Sequence, residues 1–321
     1  MKAIRFTEGP ALVLAGPGSG KTFVTVERIR HLLTHHKVEP EHILVITFTR
    51  AAALEMQERF FKLMESSKPA VWFGTFHAIF YYILRQSSQY RDYTILTETE
   101  KRKLLRKILS VHRQFVSVRE EDHENLLKEI SRYKNRQGRF TEETEKEKEG
   151  NNLSALPAEI KREDFEFLCM EYQKYLREFH KMDFDDMGIL CEELLTKEEK
   201  TRRLWQEQFQ YILVDEFQDI GPLQYRLIRL LSSPQNNLFV VGDDDQSIYR
   251  FRGASPLSMQ QFQRDYPSCE KILLNVNYRC HESVVQAAQT MISENKERFA
   301  KQVTANHKTG DGFVCRIFKT R

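Results

Sequence analysis

The sequence is short of several marks that would place a protein at once. Its five cysteines, Cys169, Cys191, Cys269, Cys280 and Cys315, form no Cys-x-x-Cys pair and are odd in number, so they spell neither a zinc site nor a disulfide framework. They read as reduced, buried or idle thiols, consistent with the cytoplasm. No apolar core follows a basic start at the N-terminus, and no uninterrupted apolar run approaches a membrane span, so neither secretion nor membrane insertion is expected. An excess of one charge is missing too. Lys+Arg 49 against Asp+Glu 46 leaves a net +3, too little to announce nucleic acid, so any case for DNA must rest on local chemistry. What remains is an ordinary globular composition, 40% hydrophobic and 30% charged over 321 residues, long enough for two or so domains with their own cores.

Glycine is sparse, at 13 residues, and three of them stand together in Ala15-Gly16-Pro17-Gly18-Ser19-Gly20-Lys21-Thr22. The apolar run Ala11–Leu14 precedes this stretch, and Phe23–Leu33, with the apolar spacing of an amphipathic helix, follows it. Strand, glycine loop and helix are the setting of a phosphate-binding loop. Gly16, Gly18 and Gly20 let backbone N–H groups turn toward one concave point, and the helix start adds partial positive charge. Lys21 then meets the outer phosphates and the Thr22 hydroxyl meets Mg²⁺. The strict pattern opens on Gly where this chain has Ala15; at the strand end that is a mild change.

Further strand-then-helix units follow. Ile43–Phe48 is continuous and β-branched, as in a buried parallel strand, and Thr49 can cap the helix Arg50–Phe60. Val71–His77 leads into the apolar helix start Ala78-Ile79-Phe80. Repetition of this unit predicts an α/β fold with a parallel sheet flanked by helices. Ligands gather at the carboxyl ends of such strands, so Lys21, Thr47 to Arg50 and Thr75 to His77 are expected on one edge. From about Arg91 the pattern turns helical, with capping boxes at Thr97/Glu100 and Ser117/Glu120 opening helices 100–112 and 118–135, and a third helix running through Phe165, Leu168, Tyr172, Tyr175 and Phe179. No strand signal intervenes, the polar run Thr141–Asn152 reads as a linker, and 91–180 is expected to be an all-helical insert. The basic piece Arg132–Arg139 reads as a solvated helix end able to face phosphates.

The α/β pattern resumes at Tyr211–Val214, a strand that ends in Asp215 and Glu216. Such a pair is a common helix cap, but downstream of a phosphate loop it suits a metal carboxylate, Asp215, and a base for the attacking water, Glu216. Another strand, Leu238–Val241, runs into Gly242–Ala254. Gln246 in this run can touch a γ-phosphate or its attacking water, and Tyr249, Arg250, Phe251 and Arg252 interleave rings with cations, as a single-strand track requires.

Six segments, Ala15–Thr22, Thr47–Met56, Gly74–His77, Asp215–Asp219, Gly242–Ala254 and Asn277-Tyr278-Arg279, stand in the order of superfamily 1 DNA helicases of the UvrD/Rep/PcrA type, and the chain resembles that family over nearly its whole length. The resemblance implies a RecA-like P-loop NTPase using ATP and Mg²⁺, acting on single-stranded DNA and duplex junctions. It implies a motor domain 1A over 1–90 and 181–270, an insert 1B over 91–180, and the beginning of a second motor domain 2A over 271–321. Lys21 and Thr22, with Asp215 and Glu216, take the family's phosphate, magnesium and water-activating roles. Gln246 reads the γ-phosphate, Arg279 serves as an arginine finger reaching across from the second motor domain, and Tyr278 lies against the adenine. DNA contacts fall on Phe48, Arg50, His77, Tyr249, Phe251 and Arg252.

Departures from the family pattern accompany these matches. Phe251 stands where relatives usually have Trp, which weakens the strand grip, and Phe23 stands where many have Arg. The adenine-reading glutamine would fall before Met1. After Arg279 the chain offers a helical stretch, His281–Lys296, and one strand candidate, Phe313–Phe318, so the second motor domain is expected to be incomplete and hydrolysis by this polypeptide poor. Two other readings stay open: the motor half of an AddA/RecB-type helicase–nuclease, and a non-catalytic module that binds DNA or a partner.

Overall fold

The computed structural model describes residues 1–65, 68–112, 115, 118–137, 156, 160–247, 258–295 and 298–307. The chain forms two compact units, one of Met1–Phe76 with Arg202–Arg321 and one of His77–Thr201. In the first, α1 (Lys2–Arg5) leads to β1 (Ala11–Ala15), α2 (Lys21–His35), β2 (Ile43–Thr47), α3 (Arg50–Leu63) and β3 (Trp72–Thr75). The helix α4 (Phe76–Gln86) carries the chain into the second unit, which contains β4 (Thr94–Ile95), α5 (Glu98–Val111), α6 (His123–Gln137), α7 (Arg162–Glu178), β5 (Lys181–Met182) and α8 (Phe184–Lys197). Then α9 (Glu199–Gln208) returns it to the first unit through β6 (Tyr211–Val214), α10 (Pro222–Ser232), β7 (Leu238–Gly242), α11 (Ser258–Asp265), β8 (Glu270–Leu274), β9 (Val276–His281), α12 (Glu282–Ile292) and β10 (Thr304–His307).

Six strands of the first unit form one sheet in the order β3-β2-β6-β7-β1-β8, parallel throughout. The strands β1, β2 and β7 are buried at every position, as apolar runs covered by helices on both faces must be. Ile29 of α2 and Met56 and Phe60 of α3 join Val13, Val45, Leu213, Phe239 and Val241 in the core. Arg28 is buried with them, its guanidinium 4.4 Å from the Phe239 ring and its Nη2 donating to the Thr7 carbonyl at 3.2 Å. Burial pushes its pKa down to about 9. Thr49 caps α3 as expected, its hydroxyl accepting from the Ala52 N–H at 3.1 Å.

Two expected boundaries move. The sheet extends to β8, whose Glu270–Leu274 pairs in parallel with β1, so residues 271–274 lie in the first sheet. Only Ile272 of that strand is buried, and an edge strand with one covered side gives a weak apolar signal. The second unit is also wider than 91–180. It takes in α8 because Asp183 and Asp186 at the start of that helix bind Lys134 of α6. Nor is it wholly helical, since β4 and β5 pair in parallel. Two-residue strands carry no periodicity to read. The Thr97/Glu100 capping box forms; Ser117, the linker 141–152 and the strand candidate 313–318 lie outside the described residues.

The second unit has its own core, in which Leu105, Leu126, Phe165, Leu168, Tyr172 and Leu176 are buried together. Beside it lies a buried ionic cluster. Lys134 Nζ is 2.6 Å from Asp183 Oδ2 and 2.9 Å from Asp186 Oδ1, and the Tyr172 hydroxyl donates to Asp183 Oδ2 at 3.2 Å. Burial works against the Lys134 charge, yet the two carboxylates outweigh it and hold its pKa above the usual range. Burial and the neighbouring Asp183 push the Asp186 carboxyl up to about 6. Removing the lysine strands two buried carboxylates, which costs about 3 kcal/mol or more. Lys134→Met is therefore expected to lose that much stability in denaturant titrations near pH 8, and less near pH 5, where the carboxyls can take up a proton; equal losses at both pH values would contradict this account.

Candidate functional site

The phosphate-loop sequence folds into the bend expected of it. Ala15 ends β1 fully buried, so its methyl fits where the strict pattern has glycine. Gly18 and Gly20 have φ of +64° and +83°, conformations that an L side chain strains to adopt. Gly20 is the N-cap of α2 and offers no side chain to the helix, which leaves first-turn N–H donors to an incoming anion. Among the described residues the buried Ser19 hydroxyl has no partner, a polar atom suited to a phosphate oxygen. Lys21 and Thr22 open α2. The residues present thus fit a bound polyphosphate.

Across the edge, β6 ends in Asp215 and Glu216. The Asp215 N–H donates to the Ile46 carbonyl at 2.9 Å, extending the ladder to β2 by one residue. Glu216 then adopts φ +50°, ψ 44°, uncommon for a residue with a side chain, and its N–H donates to Asp215 Oδ1 at 3.0 Å. The turn brings Glu216 Oε2 to 3.3 Å from Lys21 Nζ. Burial, reinforced by the Glu216 charge, pushes the Asp215 carboxyl up to about 6. Asp219 is raised to about 6 for the same two reasons. A buried carboxylate held above its ordinary range beside another carboxylate is poised to accept a cation.

A hydrogen-bonded relay extends this pair along the edge. Buried Gln218 donates from Nε2 to Glu216 Oε2 at 2.9 Å, and its Oε1 accepts from the Asp243 N–H at 2.9 Å. A Cβ on Gly242 would meet Gln218 Oε1 at 2.7 Å, so the glycine lets the amide through. Asp243 Oδ2 in turn accepts from Gln246 Nε2 at 2.6 Å. The carboxylates of Asp243, Asp244 and Asp245 lie within 4.8 Å of one another. Between them sits the fully buried Lys301, its Nζ 2.5 Å from Asp243 Oδ1, 2.5 Å from Asp244 Oδ1 and 3.0 Å from Asp245 Oδ2. That trio already has its cation.

The Asn277-Tyr278-Arg279 segment comes to the phosphate loop itself. The Tyr278 N–H donates to the Gly18 carbonyl at 3.0 Å, and Asn277 Oδ1 accepts from the N–H groups of Arg279 and Cys280, both at 2.8 Å. A Cβ on Gly18 would stand 2.8 Å from the Arg279 Cβ. Tyr278 is 58% exposed, as is Phe23, at 62%, in the first turn of α2.

Of the expected DNA contacts, half-buried Phe48 and exposed Arg50 follow β2 at the carboxyl edge. His77 stands in the first turn of α4, its ring edge-on to Phe184 at 5.7 Å. Tyr249, Phe251 and Arg252 lie outside the described residues. Gln218, Asn277, Arg298 and Lys301 went unassigned in the sequence. Gln218 had a signal, a polar side chain just after a buried strand and inside the acidic run. Lys301 had none, since its partner Asp243 is 58 residues away.

A parallel sheet with a glycine loop and an acidic pair at its carboxyl edge defines a phosphate-loop nucleotide-binding domain. More narrowly, the chain belongs to the UvrD/REP helicase family, whose N-terminal domain matches residues 1–267. It is 36% identical over 311 residues to the putative ATP-dependent DNA helicase YjcD of Bacillus subtilis (strain 168), covering 95% of this chain and 39% of that protein. It is 35% identical over 315 residues to the ATP-dependent DNA helicase PcrA of Staphylococcus epidermidis, covering 97% of this chain and 41% of that protein. The PcrA of Staphylococcus aureus (strain Mu50) is 34% identical with the same coverage. The chain thus spans about two fifths of these relatives' length. Among the described residues no helix is long and apolar enough to cross a membrane.

The raised Asp215 carboxyl has a consequence for stability. Its ordinary value of 3.8 rises to about 6 on folding, so the folded state favours the protonated form. Stability from this group is full below about pH 4 and is lost as pH rises through about 6, a difference on the order of 3 kcal/mol. In nucleotide-free thermal melts, Asp215→Asn is expected to be more stable than the wild type at pH 8, with the gap closing toward pH 4. A variant that is less stable at pH 8 would show that burial strain is absent.

Proposed function

We propose that this chain is the N-terminal motor portion of an ATP-dependent DNA helicase that travels on single-stranded DNA, 3′→5′ as its family implies, and opens duplex at junctions. The observation that carries the reading is the approach of Lys21 to Glu216, beside Asp215, at the mouth of a phosphate loop. Thr22 and Asp215 would hold Mg²⁺, which when bound neutralises phosphate charge for phosphoryl transfer. Lys21 leaves Glu216 for the phosphate oxygens, which frees Glu216 to orient and deprotonate the attacking water. Gly16, Pro17, Gly18, Ser19 and Gly20 cradle the phosphates, Gln246 contacts the γ-phosphate, Tyr278 stacks on the base and Arg279 meets developing charge. Phe48, Arg50 and His77, with Tyr249, Phe251 and Arg252, supply the strand contacts. In this reading the insert corresponds to 1B, and the residues after β8 begin 2A.

Hydrolysis coupled to movement needs a cleft that closes on the nucleotide. The test is nucleotide affinity and turnover, measured with and without single-stranded DNA, on this chain and on a version extended at both ends. The expected result is Mg·ATP binding with slow turnover for the chain given, and a large DNA-stimulated gain on extension. Lys21→Ala should weaken nucleotide binding about tenfold or more. Undiminished affinity in that variant would favour a binding module over a motor.

A further inference from the structure

The cations that hold the acidic turn after β7 come from a segment the proposed chemistry does not use. We propose that Lys301 is a positioning residue: through Asp243 it fixes the turn that carries Gln246, and the short segment from Arg298 to Val303 ties that turn to the phosphate loop. The proposal rests on the reading of Gln246 as the γ-phosphate contact.

The geometry divides the Asp243 carboxylate between two tasks. Its Oδ1 accepts from Lys301 Nζ at 2.5 Å and from the Asp245 N–H at 3.3 Å, while its Oδ2 accepts from Gln246 Nε2 at 2.6 Å. Whatever holds Asp243 therefore holds the Gln246 amide. Three adjacent carboxylates repel, and at this depth the repulsion is weakly screened; Lys301, its side chain 0% exposed, is the charge that cancels it. The neighbours of Lys301 reinforce the grip. Arg298 binds both oxygens of Asp245, at 2.7 and 2.6 Å, in the bidentate manner that fixes orientation as well as distance. The Phe299 N–H donates to Asp244 Oδ2 at 2.7 Å.

Two residues past Lys301, the same segment reaches the other side of the site. Val303 lies so close to Gly16 that a Cβ there would stand 2.8 Å from Val303 Cγ2, and the Thr304 N–H donates to the Asn275 carbonyl at 2.7 Å, at the end of β8. A run of six residues thus touches the first glycine of the loop and all three carboxylates of the Gln246 turn. A bystander lysine satisfying buried acids needs no such second anchor. The segment acts as a brace: it sets the Gln246 amide relative to the loop that binds the phosphates.

A brace of this kind affects the third phosphate and spares the first two. The experiment measures Mg²⁺-dependent binding of ADP and of a non-hydrolysable ATP analogue to the purified chain. The wild type is expected to prefer the triphosphate, and Lys301→Met to lose about tenfold of that preference while ADP affinity stays within about twofold. Gln246→Ala should show the same loss, and the double variant no more than either single one. Should Lys301→Met melt early, the charge-balanced pair Asp244→Asn with Lys301→Met carries the same expectation. Lys21→Ala, expected to weaken both nucleotides, tests the underlying site separately. If it weakens both and Lys301→Met keeps the full triphosphate preference, the brace is overturned while the site stands. If the wild type itself shows no preference, the Gln246 role falls and the brace with it.

Discussion

Parallel strand direction is the constraint on which this molecule depends. When every strand of a sheet runs the same way, every carboxyl end meets solvent on the same edge, and loops far apart in sequence become neighbours. Here the pairing Val13↔Val241, Val214↔Val240 and Ile46↔Val214 aligns those ends. The order matters as much as the direction. Between the loop strand β1 and the acidic strand β6 lies β7, so the turn bearing Gln246 is placed between the phosphate loop and the carboxylate pair by topology alone.

That crowding concentrates negative charge in a poorly solvated place, and the site is built around managing it. Lys21 meets Glu216, Lys301 meets the three aspartates after β7, and Gln218 joins the two groups by accepting on one face and donating on the other. Burial and the neighbouring Glu216 charge raise the carboxyls of both Asp215 and Asp219. A network in which each buried group has its partner fixes geometry.

The sheet was legible because β1, β2, β6 and β7 are unbroken apolar runs, and the loop because Gly16, Gly18 and Gly20 precede a lysine that starts a helix. The Asp215/Glu216 pair was legible only in the company of that loop. Edge strand β8 was not legible as part of this sheet, since Lys271 and Leu273 face outward and hide its pairing. The limits of the second unit differ from those read for the insert for a related reason: periodicity changes near Arg91 and His180, whereas the compact unit runs from His77 to Thr201. Lys301 could not have been found from a local window, because a buried ion pair between distant residues leaves no spacing to detect.

The insert closes on residues of its own, with a separate core and with Lys134 binding Asp183 and Asp186. A unit that satisfies its own buried groups asks little of the sheet from which it springs. Exposed positions of α5, α6 and α7 can therefore vary without disturbing either that core or the Lys134 pairs.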